Sequence, residues 1–114
     1  MSIVKSLDGL LESYYGISTR HQINKEVAEV DIAVTRIAIN KPVRLGLVFV
    51  NLSGANMYVM PDNAVSTTRG IYLAPNGGSV TLRWNDDFSL VAHEWWATAA
   101  ADASAILVLE TVIT

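Results

Sequence analysis

The chain has 114 residues, no cysteine, 51% hydrophobic against 17% charged residues, and a formal net charge of −3. These values exclude disulfides, thiolate chemistry and cysteine-based zinc sites, and the eight Lys and Arg residues are scattered singly instead of forming the basic surface that nucleic-acid phosphates require. One core is expected at this length, and the longest apolar runs, Leu45 to Val50 and Ala105 to Leu109, fall far below the roughly 18 residues of a membrane-spanning helix.

The start, Met1-Ser2-Ile3-Val4-Lys5, meets Asp8 and Glu12 within a few residues and lacks a signal peptide's basic and apolar regions, so synthesis and use without Sec export are expected. From Ile3 to about Tyr15, Ile3, Leu7, Leu10 and Tyr14 recur at steps of three and four, flanked by Val4, Leu11 and Tyr15. This pattern predicts a short amphipathic helix that ends at Gly16, and its stripe must dock on something, because three turns are marginal alone. Ser18 to Lys25 reads as a polar connector, giving a helical arm and connector over 1–24 and a β-domain over 25–114.

From Val27 the period changes to two. Val30, Ile32 and Val34 alternate with Glu29, Asp31, Ala33 and Thr35, which predicts a strand, with a bulge or break where the phase slips at Thr35-Arg36. Further strands are expected at Arg44 to Asn51, Asn56 to Met60, Gly70 to Ala74, Ser79 to Trp84, Ser89 to Ala97 and Ala105 to Ile113. Turn-forming residues separate them, with Pro75-Asn76-Gly77-Gly78 read as a hairpin turn. Seven or eight short antiparallel strands at this spacing predict an all-β, jelly-roll-like sandwich with a short N-terminal helical arm. Several strands are apolar on both faces: Leu45, Leu47 and Phe49 oppose Val48 and Val50, and Ile106 and Val108 oppose Leu107 and Leu109. One short helix does not cover so much surface, so a homo-oligomer or a host assembly is expected.

The residues that carry chemistry are sparse. His93 and Glu94 are neighbours on a strand and face opposite sides, so they do not share an acid–base or metal site. Asn85-Asp86-Asp87 lacks the spaced carboxylates of a calcium loop, the Gly77-Gly78 turn lacks the lysine and helix of a phosphate loop, and no Gly-x-Ser-x-Gly elbow occurs. No enzyme activity, metal or cofactor is expected. An enzyme would need Asp86, Asp87, His93 and Glu94 to converge in one cleft. The residues suited to recognition are aromatic. Trp84, Trp95, Trp96, Tyr58 and Tyr72 fit a partner interface, or a glycan platform as the alternative, and at least one of the adjacent Trp95 and Trp96 lies off the core. Candidate interface residues are therefore Leu7, Leu11, Tyr14 and Tyr15 on the arm, and Tyr58, Tyr72, Trp95 and Trp96 on the strands.

The run from Arg44 to Ser53 (RLGLVFVNLS), Met57-Tyr58-Val59, Asp62 to Ile71 (DNAVSTTRGI) and Asn76 to Ser79 resembles small β-sandwich virion proteins of tailed bacteriophages. Gly9 to Gly16 (GLLESYYG) followed by Ser18-Thr19-Arg20-His21-Gln22 is similar to the start of the same group, and together these stretches cover most of the chain. The resemblance implies a virion protein assembled in the host cytoplasm: a capsid decoration or cement protein bound without covalent links to the major capsid protein and to copies of itself. A trimer suits sites on a capsid, with a dimer or a larger ring as the alternatives. A tail or collar component is the alternative station. The resemblance also implies that the arm anchors and the sandwich protrudes.

Overall fold

A computed structural model describes residues 18–23 and 29–113. Its strands are β1 (Thr19–Ile23), β2 (Glu29–Val30), β3 (Thr35–Ala38), β4 (Arg44–Asn51), β5 (Met57–Met60), β6 (Ile71–Leu73), β7 (Ser79–Arg83), β8 (Trp95–Ala99) and β9 (Ser104–Ile113). One helical turn, α1 (Trp84–Asp87), runs into a 3₁₀ turn over Phe88–Val91. The helix expected from Ile3 to Tyr15 lies outside the described residues. No described helix is long and apolar enough to cross a membrane.

The chain forms two antiparallel sheets. The first has the order β1-β9-β4-β7, with β2 also on β9, and the second the order β3-β8-β5-β6. The pairings are nested: β1 and β2 pair with β9, β3 with β8, β4 with β7, and β5 with β6. The β4–β9 and β5–β8 pairings then join these ribbons into sheets. Between the sheets lies a core to which the first contributes Leu47, Phe49, Leu82, Ile106 and Val108, and the second Ile37, Met57, Val59, Leu73, Trp95 and Ala97. Each large apolar side chain buried here contributes about 1.5–3 kcal/mol by its removal from water. On the outer face of the first sheet Val48, Val50, Leu107 and Leu109 are half-buried.

Four expectations change. Ser18 to Lys25 is not a plain connector, because β1 pairs with β9 from Thr19↔Ile113 to Ile23↔Leu109. Its polar inward position is tolerated since Gln22 donates to the Glu110 carboxylate at 2.7 Å. The sheet therefore begins before residue 25. The strand read through Val34 stops at Val30, leaving Ile32 and Val34 exposed. There Asp31 accepts from the Ala103 N–H, Asp102 accepts from the Ile32 N–H, and Thr98 donates to the Ile32 carbonyl, so local side chains replace the ladder. The strand read from Ser89 begins only at Trp95. The Asp87 carboxylate accepts the Arg83 N–H and the Phe88 N–H closes onto the Trp84 carbonyl, which winds the chain into a turn. Finally, Pro75 to Gly78 is not a hairpin turn but joins β6 of one sheet to β7 of the other.

This crossover is held by a buried asparagine. Asn51 donates to the Ala55 and Leu73 carbonyls and accepts from the Ser53 N–H and hydroxyl, while its backbone binds Gly77 and Gly78. A side chain at Gly78 would collide with the Ala74 backbone, so the close return of the loop requires glycine.

A second polar group organises the opposite end of the same strand. The β4–β9 register shifts between Arg44 and Gly46, and the extra residue turns Arg44 inward, away from the outer face shared by Gly46, Val48 and Val50. Its guanidinium Nε meets Glu110 Oε2 at 2.7 Å, and its remaining nitrogens donate to the carbonyls of Ile39, Val91 and His93. The other carboxylate oxygen accepts from Lys41 Nζ and Gln22 Nε2, each at 2.7 Å. Both Arg44 and Glu110 are 1% exposed. Burial alone raises the Glu110 carboxyl, but hydrogen bonds from Lys41, Gln22 and Arg44, together with the Arg44 charge, outweigh it and hold the group below its ordinary value.

Replacing either Arg44 or Glu110 by leucine strands a buried charge and is expected to cost about 3–5 kcal/mol in urea unfolding, with the double replacement costing less than the sum of the two. The depressed Glu110 value also sets the sign of a pH dependence. Its contribution is complete above the ordinary carboxyl value of 4.5 and is lost as pH falls through the lower folded value. Urea midpoints measured against pH are therefore expected to drop in acid, and Glu110→Gln is expected to flatten that drop.

Candidate interaction surface

Along β8 successive side chains alternate between the core and the outside. Trp95 points inward, 1% exposed, with its ring centroid 5.4 Å from that of Phe49 and its indole N–H donating to the Leu90 carbonyl at 2.9 Å. This corrects its place among the interface candidates: the Trp95 indole is packed and hydrogen-bonded within its own chain. Trp96 points outward, opposite Arg36 of β3 and Met60 of β5. Its indole nitrogen is buried without a hydrogen-bond partner, which costs about 1–3 kcal/mol relative to a satisfied donor.

The same outward face extends across β5 and β6. Tyr58 lies opposite Tyr72, with ring centroids 5.5 Å apart and planes tilted by 42°. The Tyr72 hydroxyl donates to Asn56 Oδ1 at 3.1 Å, which fixes the ring while leaving it half exposed. At the other side Arg36 faces Glu94 at 3.9 Å, an exposed pair that contributes little to stability. The second sheet therefore gathers Arg36, Tyr58, Met60, Tyr72 and Trp96 on one surface. Three sequence candidates, Tyr58, Tyr72 and Trp96, are brought together there. Arg36 and Met60 were missed, although the period of two in β3 and β5 places them on this face. The arm candidates Leu7, Leu11, Tyr14 and Tyr15 lie outside the described residues.

The acidic and histidine candidates point to other partners. Asp87 accepts the Arg83 N–H, Asp86 faces the Arg83 guanidinium at 3.9 Å, Glu94 faces Arg36, and the His93 ring contacts the Glu94 carbonyl. Among the described residues, no three His, Asp or Glu side chains are grouped as metal ligands. Trp84 and Leu90 are exposed, and Phe88 is 77% exposed at a positive φ of 53°, a conformation that costs a non-glycine residue of order 1–3 kcal/mol.

The chain matches no protein-family model, no curated protein and no solved structure.

Trp95 and Tyr72 are expected to separate in stability measurements. Trp95→Ala removes a packed ring and is expected to cost about 3–5 kcal/mol in urea unfolding. Tyr72→Ala, which trims an exposed ring, is expected to stay within about 1 kcal/mol of the parent.

Proposed function

We propose that the chain is a structural protein of a tailed-bacteriophage virion, a head decoration or cement protein that stabilises the shell through non-covalent contacts with the major capsid protein and with copies of itself. The observation that carries this reading is the outward face of the second sheet. Arg, Tyr, Trp and Met are the side chains enriched at protein interfaces, and Arg36, Tyr58, Met60, Tyr72 and Trp96 supply all four types on one surface. A rigid sheet holds them at little further entropic cost, which favours binding by a preformed surface.

The finer fold assignment belongs to the same reading. A jelly roll is one long antiparallel ribbon folded over on itself, and the nested order, with β1 and β2 against β9, β3 against β8, β4 against β7 and β5 against β6, supports that reading. The arm before β1 remains the proposed anchor.

Purified particles incubated with labelled protein test both surfaces. Tyr72→Lys is expected to reduce incorporation at least about tenfold, as loss of an interface anchor does, with an unchanged circular-dichroism melt. Deletion of residues 2–17 is expected to reduce it as well. Undiminished incorporation of the Tyr72 variant removes the face from the contact, and label confined to tails moves the protein from the head to the tail.

A further inference from the structure

The sandwich has four sheet edges, and three are blunted in the ways proteins use to prevent strand addition. Among the described residues, β1 carries Arg20 and β2 beside it has only two residues, β3 carries a register shift between Arg36 and Ala38, and β6 has only three residues. The fourth edge, β7, is a regular run of five residues, Ser79-Val80-Thr81-Leu82-Arg83, without proline, glycine or bulge.

The hydrogen-bond phase of β7 follows from its two ends. The Asn51 N–H donates to the Gly78 carbonyl, and the Arg83 N–H is taken by Asp87 instead of by β4. In an antiparallel ladder bonded and non-bonded pairs alternate, so Phe49↔Val80 and Leu47↔Leu82 are the bonded pairs. Ser79 and Thr81 therefore direct both N–H and C=O away from β4, into the open edge.

We infer that β7 is a two-fold contact between copies of this chain, in which the β7 strands of two molecules pair antiparallel about Thr81. The strand is its own complement in that register. Thr81 meets Thr81 of the second copy and the two exchange N–H···O=C bonds, and each Ser79 N–H reaches the Arg83 carbonyl opposite. Pairing displaces the Asp87 carboxylate from the Arg83 N–H, an exposed bond, and that N–H then donates to the Ser79 carbonyl opposite. On the core side Val80 meets Leu82, and on the other face hydroxyl meets hydroxyl. Arg83 is the only charged side chain of the strand, and it lies opposite the neutral Ser79, so no like charges are opposed. Self-complementarity selects a second copy over an unrelated extended segment, and a two-fold operator closes the contact. The inference stands on this edge alone and does not rest on the virion reading.

Substitution at Thr81 tests it, because the side chain is exposed and its N–H makes no bond to β4. Wild-type protein is expected to have a molar mass in light scattering that is an even multiple of the 12.4 kDa chain. Thr81→Lys and Thr81→Asp each place like charges across the two-fold and are expected to halve that mass, while an equimolar mixture of the two restores it. Thr81→Pro, tolerated at an edge position whose N–H faces outward, is expected to halve it too. In wild-type hydrogen exchange, the Ser79 and Thr81 amides are expected to exchange about tenfold faster or more once the protein is diluted to the monomer. A monomeric or trimeric wild type, full mass in folded Thr81→Lys, a charge mixture that stays dissociated, or exchange at these amides that ignores concentration overturns the proposal. Any of these outcomes leaves the particle-binding experiment to be decided separately.

Discussion

The contact between Arg44 and Glu110 is the constraint on which most of the architecture depends. Taking two charges out of water costs several kcal/mol per ion, and here the cost is offset by completing the hydrogen-bonding capacity of both groups. The guanidinium binds one carboxylate oxygen and three carbonyls, and the carboxylate takes two further donors. Those partners belong to different parts of the fold. Arg44 and Glu110 are in the first sheet, whereas Ile39 follows β3, and Val91 and His93 precede β8, both strands of the second. One ion pair thus fixes where the chain leaves one sheet and enters the other. The orientation of β8, and with it the choice of Trp95 for the core and Trp96 for the outside, is set within a few residues of this group.

Polar side chains do comparable work at the other loops. Asn51 ties the segment after β4 to the crossover between β6 and β7, and the reciprocal bonds of Asp31 and Asp102 join the loop before β3 to the turn before β9. Short strands leave many backbone groups at their ends without a ladder partner, and these side chains supply the missing acceptors and donors. An apolar residue at any of these positions would leave those groups without their side-chain partner. The order of strands is therefore specified by a few hydrogen-bonded polar residues as well as by the apolar core.

What was legible in the sequence divides along the same line. β4 and β9 are long, apolar and bounded by turn residues, and their limits were read to within a residue. The alternation of Trp95 and Trp96 was likewise readable, because a strand has only two faces. β1 was not, since Thr19-Arg20-His21-Gln22 has no apolar period and its inward Gln22 is acceptable only with Glu110 behind it. The polar turn at Asn85-Asp86-Asp87 was legible, but its continuation through residues 88–91 was hidden because Phe and Val favour strands, and the tight winding that the bond from Arg83 to Asp87 sets up overrides that preference. Arg44 and Glu110 stand 66 residues apart, and the bulge that turns Arg44 inward leaves no mark in the local pattern.

The two surfaces proposed for contact lie on different sheets, and this separation has a mechanical consequence. β7 is an edge of the first sheet, whereas the aromatic face is the outer surface of the second. Pairing through the edge extends the first sheet and uses backbone groups, so it does not consume Tyr58, Tyr72 or Trp96. Two copies joined in this way hold two aromatic faces in a fixed relation. Where target sites repeat at a spacing the pair can span, the second face binds at an effective concentration set by the first, and the combined affinity exceeds that of one face by orders of magnitude. A small domain with a modest interface then holds firmly to a repeating lattice while remaining weak against any single isolated site.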